Sequence, residues 1–468
     1  MKNIRIIIPI LACFALCFFI FGCGNVAGGG GGGGGGAPLT ADRWVSTTGT
    51  DTATGSYSDP YRTIQKGLNE ALSNEMIGVM TGIYTEEVIW PNKDNITLEG
   101  VSQEGTIISG EGSFRCVSIE SVSNVKDATI RNMTIKDGLS QYGGGIYFKQ
   151  ANAYLHLYDL IISDNSYVST GAGGGMAIGD ALSTVESTRC RFINNSSYDG
   201  GGISIGSGTC ILSNCEVSGN TVPSLGACGG GIYITDGTLM ISSGEVSGNT
   251  ASSAGGGIYA SSAAANVQAV KARIINNIAQ DGGGMWSMGN TTIFSSCEIS
   301  GNTAEVRGGI KCSGGEMTNC LICNNKATAG YTGGLVCQTF PMELINCTIT
   351  SNEAHDKYGG VEESSSGVSL TIVNCIIWGN TDSLGSPEVG AETGGVLNVT
   401  YSDVRGGYSG TGNVDIDPKF VSVSDRHLTS STSTSVTQGG TTEGDAPDCD
   451  YDGYSRTAPY SMGAYEED

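Results

Sequence analysis

The stretch CRFINNSSYDGGGISI, residues 190–205, returns twice in altered form further along the chain. It reappears as CEVSGNTVPSLGACGGGIYI at residues 215–234 and as CEISGNTAEVRGGIKC at residues 297–312. Each copy carries a cysteine, an asparagine five residues later, and a glycine block followed by an apolar residue. A unit that recurs at a short interval indicates a fold in which one structural element is copied many times.

Two landmarks of this unit stay in phase over nine copies. The asparagines are 23 to 30 residues apart, and the apolar residues after the glycines are 25 to 30 residues apart. The asparagines are Asn165, Asn195, Asn220, Asn249, Asn277, Asn302, Asn325, Asn352 and Asn380. The apolar residues are Ile146, Met176, Ile203, Ile232, Ile258, Met285, Ile310, Leu335 and Val361. Intervals this short predict a solenoid, in which each repeat stacks on the next.

The pattern inside each repeat has a period of two. Cys190 and Phe192 before the asparagine, and Ile203 and Ile205 after the glycines, alternate with residues that vary and are often polar. This is the period of a strand with one buried face. No segment within the repeats shows a helical period, which excludes leucine-rich and ankyrin-type arrays. The sequence therefore predicts an all-β fold, a single-stranded right-handed parallel β-helix (solenoid).

Most cysteines follow the same pattern. Six of them lie five residues before an asparagine of the repeat: Cys190, Cys215, Cys297, Cys320, Cys347 and Cys375. In other repeats the position holds Leu160, Gly244 or Ala272, so it takes a small or apolar inward side chain. We expect a stack of buried thiols. Disulfides between neighbouring coils are an alternative, but the spacing does not require them, because stacked side chains lie slightly beyond the usual Cβ separation.

The two ends of such a stack need protection from edge-to-edge association. At residues 58–72, SDPYRTIQKGLNEAL predicts an N-terminal helical cap, with Asp59 as N-cap and Pro60 at the first helical position. Residues 415–468 lose the repeat and become rich in turns, so we expect a C-terminal cap segment there. The β-helix with its N-terminal cap is expected to span residues 41–414.

The first residues form a targeting segment. Lys2 and Arg5 precede an apolar run that ends in the sequence IFGC, with Cys23 as its last residue. The run is short for a transmembrane helix, and its ending resembles the lipobox of bacterial lipoproteins. We expect a lipoprotein signal peptide at residues 1–22, lipidation of Cys23, and a glycine-rich tether over residues 23–40. An ordinary secretory signal is the alternative.

The charge is strongly acidic. The chain has 23 Lys and Arg against 46 Asp and Glu, a formal net charge of −23. Removal of Lys2 and Arg5 with the signal leaves 21 − 46 = −25. Phosphate binding requires basic patches, so nucleic acid is not an expected partner. The wealth of Gly and the shortage of charged residues favour an all-β extracellular protein, and we expect a monomer at the cell surface, as an outer-membrane lipoprotein or in secreted form.

The repeats resemble those of the pectate-lyase-like superfamily of right-handed β-helix proteins. RWVSTTGTDTATGSYSDPYRTIQKGLNEA at residues 43–71 is similar to the N-terminal cap of that superfamily, and GIYTEEVIW at residues 82–90 is similar to its first coil. The GGGI phrases also resemble the repeats of chlamydial polymorphic membrane proteins. The resemblance implies the fold more strongly than an activity, because this architecture serves lyases, hydrolases, adhesins and stalks alike.

One ladder of charged residues is a candidate catalytic site. Glu245, Arg273 and Glu298 each lie four residues before an asparagine, so successive coils should place them side by side. By the resemblance, a polyuronide lyase would use an Arg or Lys base, with calcium held by carboxylates. The alternative is that opposite charges on neighbouring coils simply form ion pairs, which we favour.

Aromatic residues mark a second candidate, a ligand-binding stripe. Tyr147, Tyr233, Tyr259 and Trp286 each follow the apolar residue after the glycines by one position. On stacked coils they would line one outer face, on which sugar rings can stack. A packing surface beneath a loop is an equal alternative.

An acidic turn is a candidate calcium site. Asp448, Asp450 and Asp452, followed by Gly453, reproduce the start of an oxygen-rich calcium loop. The glutamate of an EF-hand is missing from position twelve, so any calcium there would be structural. A solvated acidic turn is the alternative.

Two hypotheses about function follow. The first is a cell-surface lipoprotein whose β-helix acts as a stalk for adhesion or for binding a glycan or a host or cell-envelope surface. The second is a polysaccharide (polyuronide) lyase or glycoside hydrolase acting on the outer face of the β-helix. We favour the first, with calcium as the only cofactor considered.

Overall fold

The strands of this chain run parallel and stack in three long ladders. The computed structural model describes residues 39–120, 124–180, 182–391, 393–441, 447–458 and 460–466. The expected signal peptide, Cys23 and most of the glycine-rich tether lie outside these residues. Except at the two ends of the stack, each coil contributes one strand to each long ladder, and we name the ladders A, B and C in the order in which the chain meets them.

Ladder A runs the whole length of the stack. Its strands pair in register and in parallel with those of the coils before and after. They are Arg43–Val45, Met76–Val79, Ile96–Gly100, the first halves of Asp127–Lys136 and Tyr154–Ser163, Thr184–Thr188, Thr209–Ser213, Thr238–Ser242, Asn266–Val270, Thr291–Ser295, Gly315–Thr318, Met342–Ile345, Ser369–Val373 and Val396–Thr400.

Ladder B follows ladder A after a turn of one left-handed residue, for example Lys271 with φ 51°. Its strands are Gly82–Thr85, Thr106–Ser109, the second halves of Asp127–Lys136 and Tyr154–Ser163, Arg191–Ile193, Glu216–Ser218, Glu245–Ser247, Arg273–Ile275, Glu298–Ser300, Leu321–Cys323, Thr348–Thr350, Ile376–Trp378 and Asp403–Val404.

Ladder C closes each coil after the glycine block. Its strands are Val88–Ile89, Val117–Glu120, Ile146–Lys149, Met176–Ile178, Ile203–Ile205, Ile232–Ile234, Ile258–Ala260, Met285–Ser287, Ile310–Cys312, Leu335–Cys337, Val361–Glu363 and Val389–Ala391. Short strands at the corner between ladders B and C complete the coils: Leu139–Tyr142, Ser166–Ala172, Thr221–Val222, Thr250–Ala251, Ile278–Ala279, Thr303–Ala304 and Lys326–Ala327.

The core is a set of aliphatic stacks inside the coils. From Arg191–Ile193 onward, the second residue of each ladder B strand points inward, and these residues are fully or almost fully buried: Phe192, Val217, Val246, Ile274, Ile299, Ile322, Ile349, Ile377 and Val404. Burying one such side chain contributes about 1.5–3 kcal/mol. The predicted period-two pattern is therefore confirmed: its apolar residues lie on the inner face of the ladders and its variable residues lie on the outer face.

The repeated asparagines form one continuous hydrogen-bonded ladder at the corner after ladder B. The side chain of Asn249 donates to Oδ1 of Asn277 in the next coil at 3.0 Å and to the carbonyl of Val217 in the preceding coil at 2.9 Å. Its own Oδ1 accepts bonds from the backbone and side-chain amides of Asn220. All nine asparagines are buried, and the seven from Asn195 to Asn352 share this pattern.

Glu388 ends the asparagine ladder. Its Oε2 accepts from the backbone amide of Asn380 at 3.0 Å and from the side-chain amide at 2.6 Å, in the place of a tenth asparagine. Burial raises the pKa of this carboxyl group, although its hydrogen bonds to Asn380 oppose the shift. The last amide of the ladder therefore keeps its acceptor.

The glycine block is required by close contact between coils. In the block at residues 200–202, Gly200 has φ 62°, a left-handed conformation that glycine adopts without strain. A Cβ atom on Gly201 would lie 2.4 Å from the carbonyl oxygen of Gly230 in the next coil. The glycines thus allow the chain to turn and the backbones to approach each other.

The cysteine stack is present as predicted from its spacing. The cysteines from Cys116 to Cys375 are free thiols, and all of them except Cys228 are buried. Cys347 and Cys375 illustrate the contact between coils, because the backbone amide of Cys347 donates to Sγ of Cys375 at 3.4 Å. The thiols fill small inward positions.

The N-terminal helix begins later than the sequence suggested. Helix α1 spans Ile64–Glu70, and its N-cap is Thr63, whose side chain accepts from the Lys66 amide at 3.2 Å. The prediction of Asp59 as N-cap was wrong, because the carboxylate of Asp59 instead accepts from the backbone of Thr54. Ile64 and Leu68 of this helix are buried.

The C-terminal residues run back along the side of the stack. Residues 411–416 first bond to Tyr401, Ser402 and Val404, and the chain then returns over the outer face of ladder B. There Leu428, Val436 and Met462 form an apolar cluster with Ile376, and helix α2 at Thr434–Thr437 is part of it. Among the residues that the structure describes, no helix is long and apolar enough to cross a membrane.

Candidate functional site

The charged ladder lies on the outer face of ladder B. Arg191, Glu216, Glu245, Arg273 and Glu298 occupy the same register position on five successive strands. The strands are held in this order by the buried residues that follow each of them. The structure therefore brings the three candidate catalytic residues together, as their spacing predicted.

Arg273 binds both of its acidic neighbours. Its Nη1 donates to Oε2 of Glu245 at 2.7 Å and its Nε donates to Oε2 of Glu298 at 2.9 Å. About half of the Arg273 side chain is exposed. Arg191 and Glu216 form a separate pair at 2.7 Å. These contacts are the ion pairs of the alternative interpretation.

The electrostatics of Arg273 are those of an ion pair. The hydrogen bond to Glu298 raises the pKa of the guanidinium further above its ordinary value, and burial only partly opposes it. A general base needs its pKa lowered toward the working pH. The surroundings of Arg273 shift it in the opposite direction.

A groove runs beside this ladder, along the turns between ladders A and B. It has a volume of about 380 Å³, and Arg189, Arg191, Lys271 and Arg273 contribute all of its basic side chains. Residues 150–306 contain no other Lys or Arg, although they contain eleven Asp and Glu. The basic residues of this long acidic region are therefore concentrated at one groove.

Lys271 is the free cation of this groove. Arg189 pairs with Asp159 through two hydrogen bonds of 2.7 and 2.8 Å, whereas the other two arginines pair with glutamates of ladder B. The Lys271 side chain is exposed and has no ion-pair or hydrogen-bond partner among the described residues. The groove thus combines paired charges, which suit hydroxyl groups, with one cation available for an anionic group.

The aromatic stripe divides into two parts. Tyr233, Tyr259 and Trp286 lie in register, and their ring centroids are 5.4 and 4.7 Å apart with nearly parallel planes. Tyr147 is separated from them by Ala177 and Ser204 on the two intervening strands. It stacks instead with Tyr142, with centroids 6.1 Å apart.

The faces of the central rings are already in contact. Both faces of Tyr259 meet another ring, and Nζ of Lys311 lies 4.6 Å from the centroid of Trp286. Arg115 covers Tyr147 in the same way, with Cζ 4.6 Å from the ring centroid. The stripe therefore exposes mainly the edges of its rings. Because a sugar stacks on the face of an aromatic ring, this arrangement does not favour sugar binding at the stripe. Neither cation was predicted to lie there, although Lys311 occupies the stripe's position in the coil after Trp286.

The acidic turn near the C-terminus distributes its carboxylates among different partners. Asp450 accepts from the amides of Gly453 and Tyr454 with one oxygen and from the amide of Glu466 with the other. Asp452 binds His427 at 2.6 Å, and Asp448 is exposed. No group of three metal-binding side chains occurs in the described part of the chain. The three aspartates are close in sequence but are not gathered around one point.

His427 connects two loops of the C-terminal segment. Its Nδ1 lies 2.6 Å from Asp425 and its Nε2 lies 2.6 Å from Asp452, while its ring packs on Tyr465 with centroids 4.3 Å apart. Burial lowers the pKa of this imidazole, but the two carboxylates outweigh burial and raise the pKa above 6.5. The two carboxylate partners, one of them 25 residues away, could not be read from the sequence.

This raised pKa predicts a pH dependence of the C-terminal segment. The stabilisation by His427 is fully present below the unfolded pKa of about 6.5 and is lost as the pH rises through the folded pKa. We therefore expect hydrogen exchange in residues 425–441 and 447–452, corrected for intrinsic rates, to be slower at about pH 6 than at about pH 8.5. His427→Gln should remove the difference and His355→Gln, on an exposed loop, should keep it. Equal dependence in His427→Gln would contradict the assignment.

The fold is a parallel β-solenoid, and a groove lined by polar and charged side chains lies on its outer face. The chain belongs to the family described as right handed beta helix region, which matches residues 81–278 and 239–406. It is therefore a right-handed parallel β-helix, which is the fold that the sequence predicted.

Solved structures give only distant similarity. The structure of the complex of XylC with xylose has 10% sequence identity to this chain and a TM-score of 0.37, and the alignment covers 81% of this chain and 87% of XylC. Pectate lyase Pel9A is 12% identical with a TM-score of 0.42, and the alignment covers 92% of this chain and 98% of Pel9A. A mannuronic acid specific polysaccharide family 6 lyase from human gut microbiota is 9% identical with a TM-score of 0.45, and the alignment covers 76% of this chain and 89% of the lyase. No curated protein matches the chain. Similarity this low supports no statement about the site.

Proposed function

We propose that this chain is a cell-surface lipoprotein that binds an acidic polysaccharide, without cleaving it, on the outer face of ladder B. The observation that supports this proposal is the concentration of basic residues at the groove, with Lys271 left unpaired among the described residues. A carboxylate of a uronic acid polymer fits this free ammonium group. The polymer belongs to a cell envelope or host surface, and binding to it is the adhesive function.

The paired charges of the groove fit the rest of such a ligand. Arg191, Glu216 and Arg273 hold donors and acceptors in fixed positions, because each is bonded to a neighbouring coil. Sugar hydroxyl groups both donate and accept hydrogen bonds, so they can bind to either member of such a pair. A rigid face of this kind loses little side-chain entropy on binding.

The lyase alternative receives less support from the same residues. β-Elimination requires a base that removes a proton beside the uronate carboxyl group. Arg273 forms ion pairs with two carboxylates, and these raise the pKa of its guanidinium group. The guanidinium group therefore stays protonated and cannot act as the base. The candidate calcium ligands lie on a different segment and bind other partners. We therefore propose binding without turnover.

Charge reversal at Lys271 tests the proposed groove. We expect Lys271→Glu to weaken binding of oligogalacturonate, measured by titration calorimetry, by roughly 10- to 100-fold, because a charge-assisted contact becomes a repulsion. Lys149→Glu makes the same change at an exposed site on ladder C and should bind as the unmodified protein does. Equal losses in both variants would show that overall charge, rather than this groove, governs binding.

The lipid anchor is the second part of the proposal. Cys23 would be lipidated and the following glycine-rich tether would hold the β-helix away from the membrane. We expect Cys23→Ala to abolish incorporation of radiolabelled palmitate and to move the protein from the membrane fraction to the soluble fraction. Retention of the label in Cys23→Ala would contradict the anchor.

The N-terminal segment completes the proposed arrangement. Helix α1 packs against the first two strands of ladder A, where Gly67 closely approaches Val45 and Ile77. We propose that this segment caps the first coil and so prevents another strand from adding to it.

A further inference from the structure

The groove beside ladder B is closed at one end by the C-terminal segment. The turn residues between ladders A and B show where it closes. Arg189, Asn214, Ser243 and Lys271 are exposed at this position on successive coils. The next residue, Ser296, is half-buried, and the following Asn319, Asn346 and Asn374 are buried. The change from open to covered occurs within two coils.

Hydrogen bonds fix this closure. Asn319 donates to the carbonyl of Cys449 at 2.6 Å and accepts from Arg456 at 3.0 Å. The side chain of Asn374 exchanges two bonds of 2.8 Å with the backbone of Thr441. Arg456 itself is completely buried and also bonds to Glu466, Gly463 and Ala464. The covering segment is therefore an integral part of the fold.

Tyr451 stands at the boundary between the open and the covered coils. Its phenol lies in the neighbourhood of Glu298 and Arg273. Its backbone amide donates to Ala464 at 2.8 Å, and its ring packs against Tyr465 with centroids 5.2 Å apart. Tyr451 thus belongs to the covering segment, two residues after the Cys449 carbonyl that binds Asn319, and it lies beyond the Arg273 end of the groove.

We infer that the groove binds the end of a linear uronic acid polymer, with the terminal sugar against Tyr451. This inference rests on the proposed function. A polymer that followed the groove past Glu298 would collide with the segment that covers Asn319. The phenol of Tyr451 offers a hydrogen bond to the terminal hydroxyl group, and Lys271 offers its charge to a carboxylate further along the chain.

The number of protein molecules bound per polymer chain tests this inference. Size-fractionated polygalacturonate of several lengths is mixed with an excess of the full chain, and the complexes are weighed by analytical ultracentrifugation. We expect one protein per polymer chain at every length. A number that rises with length would overturn end recognition and leave the proposed function intact. Binding at no length would overturn both.

A single side chain provides the second test. Tyr451→Phe keeps the ring but removes the hydroxyl group, so we expect hexagalacturonate affinity to fall about tenfold. Tyr454→Phe, on the same segment and well exposed, is the matched control and should leave affinity unchanged. Unchanged affinity in Tyr451→Phe would contradict its place in the site, while loss in Lys271→Glu would still support the groove.

Discussion

Replacement of Gly256 by alanine is expected to destabilise the β-helix by about 3 kcal/mol or more, because overpacking against fixed backbone cannot relax easily. The new Cβ would lie 2.5 Å from the carbonyl oxygens of both Gly283 and Ile278. These atoms belong to the next coil and are held by hydrogen bonds between coils, so neither can move alone. The urea midpoint of unfolding measures the effect.

Gly248→Ala separates collision from backbone strain. Gly248 has φ 61°, but an added Cβ would find no atom closer than 4.0 Å. The cost there should be limited to the left-handed conformation, about 1–2 kcal/mol. If both variants lost the same stability, contact between coils would not explain the glycine block.

Loss of one ladder asparagine is expected to be as severe. In Asn249→Ala the carbonyl of Val217 loses its donor, and two amide groups of Asn220 lose their acceptor. These groups are buried, and an unsatisfied buried group costs about 1–3 kcal/mol, so the total is expected to reach about 3–5 kcal/mol. Hydrogen exchange should localise the damage to the coils around residue 249, because each repeat contacts only its neighbours.

The exposed Asn290 supplies the control for this experiment. Asn290→Ala removes the same side chain from a surface turn and should change stability by less than about 0.5 kcal/mol. Uniformly faster exchange along the whole stack in Asn249→Ala would indicate that the asparagine ladder acts globally, contrary to the local effect that nearest-neighbour stacking predicts.

Local periodicity explains why much of the fold could be predicted. The strands, their inward and outward faces, the buried cysteines and the alignment of Glu245, Arg273 and Glu298 all follow from a repeat whose register is fixed by asparagine and glycine. In-register stacking then turns a sequence interval into a contact in space. The sequence shows that Lys271 is one of four basic residues within 150–306, but only the structure shows that it lies in the groove beside the other three, unpaired among the described residues.

Contacts outside the repeat could not be predicted in this way. Arg456 binds Asn319 across 137 residues, and no periodic signal connects the two. The closed end of the groove depends on this contact. The stacking of Tyr259 between Tyr233 and Trp286 likewise depends on side-chain rotamers, which the repeat does not encode. Glu388 takes the place of an asparagine from a position eight residues after Asn380, which is not the interval of the repeat.

The proposed binding protein and a lyase differ in whether an acidic polysaccharide at this groove stays intact or is cleaved. Native mass spectrometry of residues 41–468 with hexagalacturonate and hexamannuronate distinguishes the two, because the mass of the complex reports both binding and the integrity of the sugar. We predict a complex of one protein with one intact hexasaccharide that persists on long incubation. Shorter unsaturated fragments that disappear in Arg273→Ala would contradict binding without turnover and establish a lyase, and the absence of any complex would contradict the groove itself.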